Sequence, residues 1–411
     1  MESTSEAAKQ IHDCAIRGEA WPASALARLI ANADSEEGSR ALFGILAEGL
    51  SDLFEPRLVD AYVRIFSEVI AAALPQYSAE ELQARYARIH RPRKIEGNPR
   101  TVYVLSRVTL GADVAITSVI LDAARRRFPE ARIVLAGSEK SHALFAGDPR
   151  IGHLPIAYVR RGTLRERLEA CPRIDEPGSI VIDPDSRLTQ LGLLPVCPEE
   201  NYYFFESRSY GADGNHSLGS LARRWAAEVF GIEDSQPFVS TNEAPGISAD
   251  IAVSLGVGEN PAKGMPHPFE QQLLAALAGH RVVVDSGPGG EEEERVRRAI
   301  GACGDSIRMF HGSFAAFASI IANSRLYIGY DSAGQHVAAA CGVPLVTIFA
   351  GSPCPRFTAR WRPTGPGPVE IVQNQNRGQY TQIRFLNTVK AAISAAAPWC
   401  SLPEAGPEYR T

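Results

Sequence analysis

The sequence predicts an α/β chain made of two successive doubly wound, Rossmann-like domains behind a helical N-terminal extension. Three observations carry this. From about residue 100, short β-branched runs alternate with longer amphipathic stretches, the succession that builds a parallel sheet with helices on both faces. The alternation breaks at a linker rich in Ser, Pro, Asn and Gly over residues 233–248 and then restarts. Before residue 95, apolar residues recur at helical spacing with few strand-like runs. The 411 residues suffice for two or three domains at ~150 residues each.

In chain order, residues 25–30, 41–50 and 58–74 read as helices, and a polar, basic stretch at 90–100 punctuated by Pro92, Gly97 and Pro99 closes the extension. In the first α/β domain, 101–105, 132–136, 179–182 and 202–205 read as strands. Helices fit at 114–128, stopped by Pro129, and at 218–230, closed by Gly231. After the linker, strands at 251–255, 281–284, 326–328 and 345–349 alternate with helices at 269–278, 291–300, 314–322 and 334–341. A last helix from about 385 to 396 ends before Pro398, and the Pro/Gly-rich tail beyond reads as mobile. The expected domains are therefore 1–95, 96–235, 236–385 and a C-terminal helix and tail at 386–411. The C-terminal ends of both strand sets are expected to face a cleft between the domains.

Composition narrows the function. With 42 Lys plus Arg against 47 Asp plus Glu, net charge −5, nothing marks a nucleic-acid or anionic-membrane partner. The start, Met1-Glu2-Ser3-Thr4-Ser5-Glu6, is polar and acidic and does not read as a secretory signal. No apolar run approaches the ~18 residues of a membrane span. Seven cysteines lie far apart, without C-x-x-C or a zinc-spaced Cys/His cluster. The expectation is a reduced, cytoplasmic, enzyme-sized protein without a structural metal.

Four segments could carry chemistry. Residues 326–346 read strand, tight turn, helix, glycine stop, strand. Asp331 and Ser332 stand at capping positions, and small Ala333 and Gly334 leave the first-turn amides open to an anion such as a pyrophosphate. His336, one turn in, could point back to the same anion; equally, Asp331 and Ser332 could merely cap a buried helix and His336 be a core histidine. Lys263 lies in a Pro/Gly loop with Gly258, just after the first strand of the second domain, in a chain with five lysines and thirty-seven arginines. It suits a developing diphosphate charge, or plain solvation. Glu291-Glu292-Glu293-Glu294 follow the Gly287-Pro288-Gly289-Gly290 turn, where four carboxylates suit the helix dipole and one of them could accept from ribose hydroxyls. Asp113, after the first strand of the first domain, could deprotonate an acceptor hydroxyl or serve as a helix cap. Asp183-Pro184-Asp185 imitates a metal-binding D-x-D but sits in the first domain, away from the donor-like features, so no metal is expected. Nucleotide-fold, P-loop, nucleophile-elbow and metalloprotease motifs are absent from the contexts they need.

The run Ile328-Gly329-Tyr330-Asp331-Ser332-Ala333-Gly334-Gln335-His336, continuing to Pro344, resembles the donor signature of glycosyltransferase family nine, the heptosyltransferases. The turn at 111–113, Ile182-Asp183, Lys263, the 287–290 turn and Ala350-Gly351-Ser352-Pro353 follow in the family's order. The resemblance implies a GT-B fold and metal-independent inverting transfer of a heptose or related sugar. The donor would be a nucleotide-diphosphate sugar, ADP-linked, with no further cofactor. It implies that Gly258, Lys263, Glu292, Asp331, Ser332, Ala333, Gly334 and His336 bind the donor and that Asp113 is the base. The acceptor hydroxyl or amine would belong to a glycan, protein or small natural product. Three departures stand out: Gly111-Ala112-Asp113 is one residue longer than the family's Gly-Asp pair, Ala333 replaces a glycine, and the 351–354 loop lacks the usual Asp. The helices of 1–95 have no counterpart in the lipopolysaccharide enzymes and could serve an acceptor or a homo-oligomer. Epimerase, hydrolase and non-catalytic nucleotide-sugar-binding readings keep the same fold.

Overall fold

A computed structural model describes residues 3–258, 260, 263–301, 306–374 and 379–396. The expected tail beyond Pro398, Cys303, Cys400 and three residues of the Lys263 loop lie outside the described residues. The chain divides into two compact units, Met1–Ser240 with Pro353–Arg362, and Thr241–Ser352 with Pro363–Thr411. Among the described residues no helix is long and apolar enough to cross a membrane.

The first unit holds a parallel sheet of β1 (Thr101–Leu105), β2 (Arg132–Gly137), β3 (Ile151–Pro155), β4 (Ser179–Asp183) and β5 (Tyr202–Phe204), in the order β3-β2-β1-β4-β5. The helices Ser118–Arg127 and Leu218–Phe230 pack on each other beside it. The β4-to-β5 connection has only single-turn helices, Arg187–Thr189 and Glu199–Asn201, too short to cover a sheet face. Residues 4–89 fill that role. Their helices bury Ile11, Leu46, Leu58, Tyr62 and Phe66 in one core with Tyr103, Leu105, Val134, Val181, Tyr202 and Phe204, the alternate residues that a strand presents to a single face. The expected break at 95/96 is therefore not a break between compact units, because the helical layer completes the first domain's core. Two of its helices, Thr4–Arg17 and Ala79–Ile89, start with capping boxes, Ser3 with Glu6 and Ser78 with Glu81.

The second unit holds β6 (Ile251–Ser254), β7 (Val282–Asp285), β8 (Ile307–Phe310), β9 (Leu326–Tyr330), β10 (Leu345–Phe349) and β11 (Val369–Gln373), all parallel, in the order β11-β10-β9-β6-β7-β8. Val253, Val284, Ile328 and Ile348 share a core with Leu386 and Val389 of the last helix, Gln379–Ala396. Strands β3, β8 and β11 were not expected from the pattern. All three are edge strands, with Gly152, His153, Arg308 and Glu370 breaking their apolar runs, as edges tolerate.

Candidate functional site

In the second sheet the strand order reverses between β6 and β9, the crevice where doubly wound sheets bind ligands. β9 ends in Tyr330, and the loop after β6 carries Lys263. Tyr330 anchors that loop: its hydroxyl accepts from the Met265 N–H at 3.1 Å and donates to Glu270 Oε1 at 3.0 Å, with Glu270 itself paired to Arg295. The anchored loop brings Lys263 Nζ to 2.7 Å from Asp331 Oδ2. Gln335 Nε2 donates to Asp331 Oδ1 at 2.7 Å, and Thr347 Oγ1 donates to Gln335 Oε1 at 2.6 Å. Asp331 is buried, whereas about a quarter of the Lys263 side chain, 24%, is exposed. The arrangement is an ammonium held at the edge of the crevice by a buried, doubly partnered carboxylate.

The helix Ala333–Ala340 starts with Ser332 in extended backbone, but the Ser332 hydroxyl makes no cap hydrogen bond. Asp331 is occupied by Lys263 and Gln335, so neither residue supplies the side-chain cap expected of the pair. The first-turn amides thus keep their positive end without a capping oxygen. Gly334 has a second use: a Cβ there would overlap the phenol oxygen of buried Tyr327, so its smallness serves packing. His336 is buried, and burial pulls its pKa down to about 4 against the opposing pull of Asp331. It is neutral at pH 7 and offers a hydrogen-bonding ring, not a charge, with Nε2 3.3 Å from Gln335 Nε2.

Gly258 has left-handed backbone, φ 60°, with open space where a side chain would start. Glu292 lies in the helix Gly290–Ile300 after β7. Its carboxylate folds against Gly256 and Gly287 and accepts from the Val257 N–H, and burial raises its pKa against the pull of Arg295. Asp285 at the end of β7, unnoticed in the sequence, is pushed up to about 6 by burial, with Glu292 adding to the shift. Gly258, Lys263, Glu292, Asp331, Ser332, Ala333, Gly334 and His336 thus all come from the segments that follow β6, β7 and β9.

Asp113 lies in the other unit. Its carboxylate is fully buried, accepting from Ser106 Oγ at 2.7 Å, the Arg107 N–H at 2.7 Å and Thr117 Oγ1 at 2.9 Å. Burial raises its pKa. It is no N-cap: helical structure starts at Leu110 after Thr109, and Asp113 opens a π-helical turn, Asp113–Thr117. Asp183 and Asp185 also part company. Asp183 accepts from the Ser186 N–H, Thr189 Oγ1 and Tyr202 OH, and burial pushes it up to about 6. Asp185 instead faces Arg208 Nε at 3.2 Å. With separate partners, the two do not form a shared clamp.

Residues 255–384 match the model of glycosyltransferase family 9 (heptosyltransferase). No curated protein matches the chain. Among solved structures, the chain is similar to a family 9 glycosyl transferase from Veillonella parvula, at 16% identity over 75% of this chain and 99% of that one, TM-score 0.54. It is also similar to the E. coli heptosyltransferase WaaC with ADP, at 18% identity over 72% of this chain and 99% of that one, TM-score 0.55. The resemblance seen in the 328–344 run is borne out, the fold is GT-B, and the family match makes the enzyme class glycosyltransferase.

Proposed function

We propose that this chain transfers a heptose or related sugar, with inversion and without a metal ion, from an ADP-linked donor to an acceptor hydroxyl or amine. The observation that carries it is the Lys263–Asp331–Gln335 network beside a helix start without a side-chain cap. Together they offer an ammonium and backbone N–H groups to a leaving diphosphate, the charge that grows in the transition state. Lys263 contacts the diphosphate as a mobile point charge. Asp331 positions Lys263, and Ser332, Ala333 and Gly334 present the amides. Neutral His336 can donate or accept one hydrogen bond, Glu292 accepts from ribose hydroxyls, and Gly258 leaves room in the same loop. WaaC, the structural relative described with ADP, is the support for that nucleotide.

Asp113 is a positioning residue in this reading. With three donors on a fully buried carboxylate, an acceptor hydroxyl would have to displace Ser106 or Thr117 to reach it. Its geometry fits holding the turn after β1 better than the expected role of base, and the acceptor's proton passes to water as the new bond to the anomeric carbon forms and the bond to the diphosphate breaks.

The test is calorimetric titration with ADP, GDP, UDP and dTDP in EDTA, repeated on Lys263→Ala and Asp331→Ala. One nucleotide should bind without metal, about tenfold or more weaker in both variants. Equal affinity in the variants would remove the donor site from these residues. Incubation with the donor sugar alone separates transfer from epimerisation, which needs no acceptor.

A further inference from the structure

The first unit contains a pocket where the loop after β1 and the turn after β4 meet the N-terminal helices and Trp361. β1 and β4 are the neighbours at which this sheet reverses its order. Backbone strain gathers here. Five non-glycine residues among those described have left-handed backbone; Phe54, Asp185, Gln190 and Leu191 line the pocket, and Val108 sits between Arg107 and Thr109, which line it too. Such conformations persist where surrounding structure enforces them, and they cluster at ligand sites.

The polar groups define what fits. Asp185 and Arg208, 1% and 2% exposed, both line the pocket. Asp185 Oδ2 accepts from Ser207 Oγ at 2.8 Å and faces Arg208 Nε, but its Oδ1 is buried with no hydrogen-bond partner. Arg208 Nη2 donates to the Leu191 carbonyl at 3.1 Å, while Nη1 is likewise buried without one. An orphan acceptor and an orphan donor on paired residues call for a group that both donates and accepts. A carboxylate or phosphate would meet the Asp185 charge, and an ammonium would meet Arg208. Around them the charges of both signs are interleaved: Arg208 Nε also lies 3.3 Å from Glu206 Oε1, Arg107 4.0 Å from Asp185 and Arg187 3.5 Å from Glu48, with Asp52 on the same wall. Tyr62 and Phe54 supply ring surface for C–H groups.

We infer that this pocket binds a neutral polyhydroxylated ligand, a sugar or polyol, with one hydroxyl seated between Asp185 Oδ1 and Arg208 Nη1. The N-terminal helices provide one of its walls. If the proposed transferase function holds, on which this assignment of role rests, the ligand is the acceptor.

Saturation-transfer NMR on the full chain tests it, with methyl mannoside, myo-inositol and sucrose as neutral probes, glucuronate as the anionic probe and glucosamine as the cationic one. Neutral probes should give signals in the wild type that vanish in Ala47→Trp, which fills the pocket, and bind about tenfold weaker in Asp185→Asn. Thermal melting of each variant reports whether it folds, and the conservative Asp185→Asn stands if Ala47→Trp does not. Neutral-probe signals unchanged in the folded variants, no signal from any neutral probe, or stronger binding of glucuronate or glucosamine would overturn the inference. ADP titration of Ala47→Trp separates the two readings. Retained ADP binding with lost sugar binding supports both, whereas failure of the wild type to bind any nucleotide sinks the transferase reading and leaves the sugar result to stand alone.

Discussion

The two sheets reverse their strand order in the same way, yet the carboxylates at their crossings are held differently. After β1, Asp113 takes its donors from Ser106, Arg107 and Thr117, its own chain neighbours, and is sealed. After β9, Asp331 takes one from Gln335 and one from Lys263, 68 residues away, and that ammonium reaches solvent. Enclosure on every side makes a carboxylate structural; a charged donor that stays part-exposed makes it the anchor of a site. Strand–turn–helix texture alone does not distinguish the two.

The largest effect should come from breaking the sealed carboxylate. Asp113→Ala leaves three buried donors without their acceptor and should cost about 3–5 kcal/mol in urea unfolding. Loss of turnover with an unchanged unfolding midpoint would instead make Asp113 a reacting group.

Next is the pH dependence carried by His336. Its folded pKa, about 4, lies below the ordinary 6.5, so the unfolded chain takes up the proton first as pH falls. The stability it lends is complete above pH 6.5 and drains away between 6.5 and about 4. Asp183 and Asp285, raised from 3.8 to about 6, act oppositely: their contribution is complete below 3.8 and lost as pH rises through 6. His336→Gln should therefore make stability fall more steeply with rising pH between about 4 and 6, a difference from wild type on the order of 2–3 kcal/mol across the window. Parallel melting-temperature profiles for the two proteins would show that His336 titrates normally.

Gly334→Ala should cost about 1–3 kcal/mol by crowding Tyr327, and Tyr327→Phe should recover part of it in the double variant. A variant with wild-type stability and weakened nucleotide binding would show that the glycine serves the ligand alone. Smallest in stability is Lys263→Ala, expected to cost about 1–2 kcal/mol because it leaves the buried Asp331 carboxylate with Gln335 alone, alongside its loss of nucleotide affinity.

Much of the fold was legible because central parallel strands such as 251–254 and 345–349 are mostly apolar, β-branched runs, and the helices between them carry clear stops. The edge strands were not, since Gly152 or Glu370 interrupts the only signal they have. The donor-side segment was legible as a motif, but its internal wiring was not. Gln335 and Thr347 are ordinary core-helix and core-strand residues until the fold sets one against the other; the four-residue spacing from Asp331 to Gln335 was the available hint. Asp113 read as functional because nothing in the sequence marks the donors, Ser106 and Thr117, that the fold closes around it. The pocket at Asp185 was hidden because it draws on residues from 43 to 361, which only folding brings together.

The segment Pro353–Arg362 belongs to the first unit although the second unit's strands β6 to β10 precede it. Within it, Arg360 is fully buried and donates to the Gly211 and His216 carbonyls at 2.8 and 3.3 Å, and Arg356 donates to the Phe54 carbonyl at 2.8 Å. On the ribosome, then, the first unit waits for its last piece until residues 241–352 have been made, a delay of roughly ten seconds at ordinary elongation rates. A nascent chain stalled at Ser240 should be far more open to protease around Phe54 and Gly211 than one stalled after the segment has emerged. The order of synthesis and the order of completion run differently in this protein.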